Sequence, residues 1–198
     1  MISGFSQTGT VVYTHDYEFK EGIYLSLDQF KQNDPIPKSA FITSIPKNQI
    51  DFFNQLMEEK NIVYKDKQGN EQKIESATAW GYSQNRSVYV NFNQEFNRVN
   101  VAGTVFHFTA PVRISAYKDP MDYSYGINNG REEIRQFVLY TQTNTIAEFT
   151  VKNMELILKD DAELFAQFES LKKRAQTNSI FIYLRKFNEK HPLYLPVN

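Results

Sequence analysis

Along the first half of the chain, apolar positions recur mostly at every second residue, the period of a half-buried strand. Residues 11–17 are β-prone, and residues 22–25, Gly-Ile-Tyr-Leu, read as a short strand. Ser26 is placed to cap a helical turn through Phe30, with Gln29 at the capping-box position. The run Asp34-Pro35-Ile36-Pro37 stops that turn, because proline cannot continue a helical hydrogen-bond ladder. Residues 40–45 are apolar enough for a strand. From Pro46 the period changes. Ile50, Phe53, Leu56 and Met57 fall on one face at helical spacing, and this helix should end near Asn61. Period two returns in 62–65 and 72–75, which flank a turn containing Gly69, and again at Thr78, Trp80 and Tyr82, predicted to share a strand face. A polar turn at 83–86 leads to a strand at 88–90, and residues 98–101 and 104–114 are further strands around Gly103. Residues 134–140 and 145–151 pair naturally across Gln142-Thr143-Asn144. The stretch 117–130 has no clear periodicity.

The last quarter is helical. Asn153 is expected to cap a short helix to Leu158, and Asp160 a longer one with Glu163 completing the box and Leu164, Phe165, Phe168 and Leu171 as its stripe. Lys172-Lys173-Arg174 would then complement the negative end of that helix. Asn178 or Ser179 opens a last segment in which Ile180, Tyr183, Leu184 and Phe187 match helical spacing in full; a strand is the alternative, but the helix fits better. His191-Pro192 ends it, and the apolar residues 193–196 should pack down. Strands followed by helices give an α+β fold: an antiparallel meander or curved sheet with one early helix and a C-terminal group of two to three helices. No linker or fixed-period repeat divides the chain, so residues 7–198 read as one domain.

Composition narrows the function classes. Among 198 residues there is no Cys, which excludes a disulfide scaffold, a Cys-ligated metal centre and a thiol enzyme. A formal net charge of −1, with no basic segment gathered to neutralise phosphates, speaks against nucleic acid as a partner. No apolar run approaches the ~20 residues of a membrane-spanning helix. Residues 1–6 resemble the end of a secretory signal, with Gly4 and Ser6 flanking Phe5, which points to an exported product beginning near Gln7. The cytoplasm is the alternative location.

Three stretches carry a family resemblance. They are Phe19-Lys-Glu-Gly-Ile-Tyr-Leu-Ser-Leu-Asp-Gln-Phe30 with Asn33-Asp34-Pro35; Trp80-Gly81-Tyr82 with Val88-Tyr89-Val90; and Leu158-Lys-Asp-Asp-Ala-Glu-Leu-Phe-Ala-Gln-Phe168 with Phe187-Asn188-Glu189. Together they resemble a group of uncharacterised exported proteins of Bacteroidetes type. The resemblance implies export to the periplasm or cell surface and carries over no catalytic residue.

Phosphate-binding, dinucleotide, zinc-protease and EF-hand motifs are absent, and Gly81-Tyr82-Ser83-Gln84-Asn85 lacks the second glycine of a nucleophile elbow. No cofactor or metal is expected. Asp160, Asp161 and Glu163 could be oxygen ligands, but an acidic first helical turn accounts for them. Alternation on a strand would part His15 from Asp16 and Glu18, while His191 suits a helix C-terminus. Glu58-Glu59 and Glu132-Glu133 read as solvated faces.

Aromatic side chains, 15% of the chain, are the one feature above background. Much of this set fills the core. Tyr117, Tyr123 and Tyr125 lie in the irregular stretch and, with Trp80 and Tyr82, could stack on a glycan or anchor another envelope protein. The leading expectation is therefore a non-catalytic binding or structural protein of the cell envelope. The alternative is a carboxylate-dependent hydrolase using Asp119 and Asp122 with His107.

Overall fold

The computed structural model describes residues 9–114 and 131–197. Strand β1 (Thr10–Val12) is followed by β2 (Gly22–Tyr24), helix α1 (Leu27–Lys31), β3 (Ile36–Pro37) and β4 (Phe41–Ile42). Helix α2 (Phe52–Glu58) leads into the hairpin of β5 (Asn61–Lys65) and β6 (Glu71–Glu75), which a 3-10 turn at Ser76–Thr78 follows. Then come β7 (Gly81–Gln84), β8 (Ser87–Phe92), β9 (Glu95–Val101), β10 (Val105–Ile114), β11 (Arg131–Tyr140) and β12 (Thr145–Glu148). Helices α3 (Val151–Leu158), α4 (Ala162–Glu169) and α5 (Lys173–Lys190) and strand β13 (Tyr194–Pro196) complete the described chain.

The architecture is α+β. Eight strands form one curved antiparallel sheet in the order β12-β11-β10-β9-β8-β7-β2-β3. Strands β4, β5 and β6 form a second sheet, and β1 pairs with β13 as a separate two-stranded ribbon. Tight hairpins drive the meander. Asn85-Arg86 and Asn93-Gln94 take positive φ at both positions (50°, 61° and 54°, 68°), the two-residue geometry whose twist suits paired strands. Between β9 and β10 the register shifts: Val99 opposes Phe108 and Val101 opposes His107, leaving Asn100 as an extra residue. Such a bulge bends the strand and deepens its twist. It also sends Val99 and Val101 into different apolar clusters.

One face of the sheet closes around Tyr24, Val90, Phe106, Phe108 and Leu139, plugged by Phe30 of α1 and Leu195 of β13. Phe30 touches Trp80 and Phe106, with ring centroids 4.8 and 5.5 Å away. Curvature is strong enough that Trp80, beside β7, donates its indole N–H to Asn144 in the β11–β12 turn at 3.1 Å, although β8, β9 and β10 lie between β7 and that hairpin in the sheet. The other face carries two covers. Helices α3 to α5 pack Met154, Leu158, Phe168, Leu184 and Phe187 against Val105, Val138 and Tyr140. Helix α2 and the small sheet pack Phe41, Phe53 and Ile62 against Ile23 and Tyr82.

Several local expectations are corrected. Residues 13–17 leave the strand; His15 and Asp16 sit together in a turn, 3.1 Å apart and exposed, rather than on opposite strand faces. Ile50 is 83% exposed because successive turns at 46–51 delay α2 to Phe52, which takes the core position instead. Thr150 rather than Asn153 caps α3, accepting from the Asn153 N–H at 3.2 Å. Asp161 rather than Asp160 caps α4, accepting from the Leu164 N–H at 3.0 Å. Helix α5 starts several residues early because its first turns are polar, held by buried Gln176 donating to the Phe168 carbonyl at 3.1 Å. Lys172-Lys173-Arg174 therefore opens a helix instead of closing one.

Candidate functional site

Tyr117, Tyr123, Tyr125, Asp119 and Asp122 lie outside the described residues. Trp80 and Tyr82 do not share a face. Ala79 and Tyr82 belong to the cluster under α2, whereas Trp80 packs in the opposite cluster, so alternation slips by one residue at Gly81. A Cβ on Gly81 would stand 2.2 Å from the Tyr89 carbonyl oxygen, which explains why glycine occupies that point. The Tyr82 ring stacks on Tyr89 with centroids 4.5 Å apart, and burial raises its hydroxyl pKa above the ordinary tyrosine value. Trp80 is half-buried, its N–H committed to Asn144.

His107 is buried on the face covered by α3 to α5, its ring flanked by Phe149 and Phe181 at 5.1 and 4.8 Å. Its Nε2 meets the Gln136 Oε1 at 3.0 Å, and Nδ1 has no hydrogen-bond partner. Burial, partly offset by the Gln136 contact, holds its pKa below 6.5 and favours the neutral ring.

The acidic residues of the α4 start are answered by the protein's own cations. Lys190 donates to Asp161 at 3.0 Å and to Glu163 at 2.7 Å, while the His191 Nε2 lies 2.8 Å from Asp161. The Leu164 N–H first, and then Lys190 and His191, hold the Asp161 carboxyl well below the usual carboxylate range. This cluster ties the end of α5 to the start of α4. The Asp160 carboxylate instead accepts from the Tyr140 hydroxyl at 2.5 Å.

Two clefts open on the covered face. The apolar one, about 290 Å³, runs between β11, β12 and α3 and is lined by Val138, Tyr140, Ala147, Leu156 and Ile157 with Asp160. Burial, then the bond to Asp160, raises the Tyr140 pKa, so its hydroxyl stays protonated. The polar cleft is larger, about 580 Å³, and lies where α2, the Ser76–Thr78 turn and the β8–β9 turn meet. Glu58, Lys60, Glu75, Ser76, Glu95 and Phe96 line it. Its wall is fixed from two sides: the Ser76 N–H donates to the Lys60 carbonyl at 3.2 Å, and the Asn91 amide donates to the Ala77 and Ala79 carbonyls at 2.7 and 2.8 Å. Ser76 is only 7% exposed. Apart from Glu58, read as part of a solvated face, none of these lining residues stood out in the sequence. They come from separate segments, and each alone is an ordinary surface residue.

No curated protein matches the chain, and no solved structure does. A family model described as a family of unknown function (DUF6563) matches residues 22–191. That span runs from the first residue of β2 to the residue that caps α5, taking in the curved sheet, both covers and both clefts. The chain belongs to this family.

Proposed function

We propose that this protein is a non-catalytic binding protein of the cell envelope, and that it holds a small polar ligand in the cleft beside α2. The observation that carries the reading is the cleft itself. At about 580 Å³ it lies within the ~300–1,000 Å³ common for small-molecule sites. Its wall offers the Ser76 hydroxyl and ionisable side chains on a backbone frame fixed by Asn91. Export is supported by the signal-like residues 1–6 and by the resemblance of the Gly22-Ile23-Tyr24-Leu25 and Trp80-Gly81-Tyr82 motifs to exported proteins of Bacteroidetes type.

Titration of the isotope-labelled chain with a panel of mono- and oligosaccharides, amino sugars and envelope extracts tests the site. Amide shifts centred on Ser76, Glu95 and Phe96, with the ligand recovered unchanged, are the expected result. Shifts lost in Tyr123→Ala and Tyr125→Ala but kept in cleft variants would move the site to the tyrosines. Consumption of a panel member would replace binding by catalysis. Mass spectrometry of the native product should find it beginning near Gln7; an unprocessed Met1 would remove the proposed export.

A further inference from the structure

We infer that His107 is an acid-sensitive latch: protonation of its buried ring releases the start of α3 and the middle of α5 from the sheet and uncovers the apolar face beneath them. The ring sits where the sheet meets its helical cover, 4% exposed, with Val138 directly opposite in β11. Two half-buried rings close over it, Phe149 from the lead into α3 and Phe181 from α5, with their centroids 4.7 Å apart. Beneath this lid lie Val105, Val138 and Tyr140 of the apolar cluster.

The hydrogen bonding of the ring suits one protonation state. Its Nε2 faces the Gln136 carbonyl oxygen, so Nε2 carries the ring proton and Nδ1 is bare. That nitrogen is buried and, among the described residues, has no partner. A second proton would put an N–H there with no acceptor and a full charge in an apolar site, and both are costly. The groups in contact with the ring are uncharged: Gln136 of β11, Val101 of β9, Phe149 and Phe181. Arg135 and Glu148 pair with each other, and alternation places them on the opposite face of the sheet. The charged side chains that the packed elements carry to either side, Arg98 of β9, Lys152 and Glu155 of α3 and Arg185 of α5, are exposed or half-exposed, and none bonds to the ring. Burial is the main cause that lowers the pKa of the ring below 6.5, and the Gln136 contact offsets part of it.

The far end of the cover is tied down independently. Asn188 holds the Val105 backbone, and Asp161 gathers Lys190 and His191. A proton gained by His191 favours its contact with the Asp161 carboxylate, so acid tightens this end while it loosens the other. The released segment therefore pivots about the C-terminal end of α5 and widens the apolar cleft, whose wall includes Val138.

Hydrogen–deuterium exchange of the full chain at about pH 7.5 and about pH 5 tests the latch. The open state takes up a proton near the ordinary value of 6.5 that the closed state refuses, so the opening constant rises with acidity, approaching about tenfold per pH unit below 6.5. The Phe149 N–H, which donates to the Gln136 carbonyl at 2.8 Å, is the direct reporter. After correction for intrinsic exchange rates, this amide and those of residues 177–184 should lose about tenfold in protection at the lower pH, while the amides of β2, β7 and β8 keep theirs. An anilinonaphthalene dye should brighten over the same range. His107→Phe should remove both responses. Should that variant not fold, the ring nitrogens of His107 in the unaltered chain serve instead: their titration by NMR must share its midpoint with the opening. Equal protection at both pH values in the unaltered chain, or the same loss in His107→Phe, overturns the latch. So does a ring that takes up its proton while Phe149 and Phe181 stay closed, because the two phenyl faces would then be holding the imidazolium in place.

Discussion

His107 and Asp161 are buried for different reasons, and acid should expose the difference. The folded state holds the His107 ring neutral below its ordinary pKa of 6.5. The unfolded chain takes up that proton near the ordinary value, so it binds more protons than the folded state, and stability falls as pH drops below about 6.5. Asp161 acts at lower pH. Its folded carboxyl is held below the ordinary 3.8, so its contribution persists above that value and is lost as pH falls through the folded pKa. Chemical denaturation across pH 8 to 2 should therefore show two descending steps. His107→Phe should flatten the upper step only, and Asp161→Asn the lower only; an unchanged upper step in the first variant would assign it to another group. Strand alternation in β10 sets His107 on the face opposite Phe106 and Phe108. What alternation could not convey is that Phe149 and Phe181, from distant segments, close over the ring.

The elements were most legible where one period governed them and least where polar residues did structural work. Tyr183, Leu184 and Phe187 define the buried face of α5 as their spacing predicts, yet its first turns went unseen because buried Gln176 holds them in place of an apolar side chain. Cap positions slipped for a related reason. Asp160 and Asp161 are adjacent and chemically alike, and only the bond from Tyr140 in another element decides which is free to cap. Asn188 is the clearest polar joint between elements: its side-chain amide accepts from the Val105 N–H at 2.7 Å and donates to the Val105 carbonyl at 2.8 Å, docking α5 on β10. Val105 is fully buried, so Asn188→Ala should cost about 2–4 kcal/mol through two unpaired backbone groups, read as a lower denaturation midpoint. The β8–β9 hairpin carries a smaller, opposite lever. Gln94 bears a left-handed φ of 68° after Asn93, so Gln94→Gly should stabilise by about 1 kcal/mol, measurable in the same experiment.

At the scale of the molecule, the α+β class and the order of the meander followed from pattern, because each strand pairs with its sequence neighbour from β7 to β12. The polar cleft did not, because Glu58, Glu75 and Glu95 approach one another only after α2 and the small sheet pack over Ile23 and Tyr82. Trp80 drew notice in the sequence for its chemistry, but the curvature of the sheet gives it a joining role against Phe30 and Asn144. One long-range pairing also governs how the fold would respond to load. In the β1–β13 ribbon Thr10 opposes Pro196, and the Val197 N–H donates to the Gly9 carbonyl at 2.9 Å, so both described ends leave from the same end of the ribbon. Tension applied between them would open this ribbon like a zipper, bond after bond, rather than shear its bonds together. Single-molecule stretching should therefore record a first, low-force release of the ribbon before the curved sheet yields, and a variant cross-linked across Thr10 and Pro196 should lose that first step.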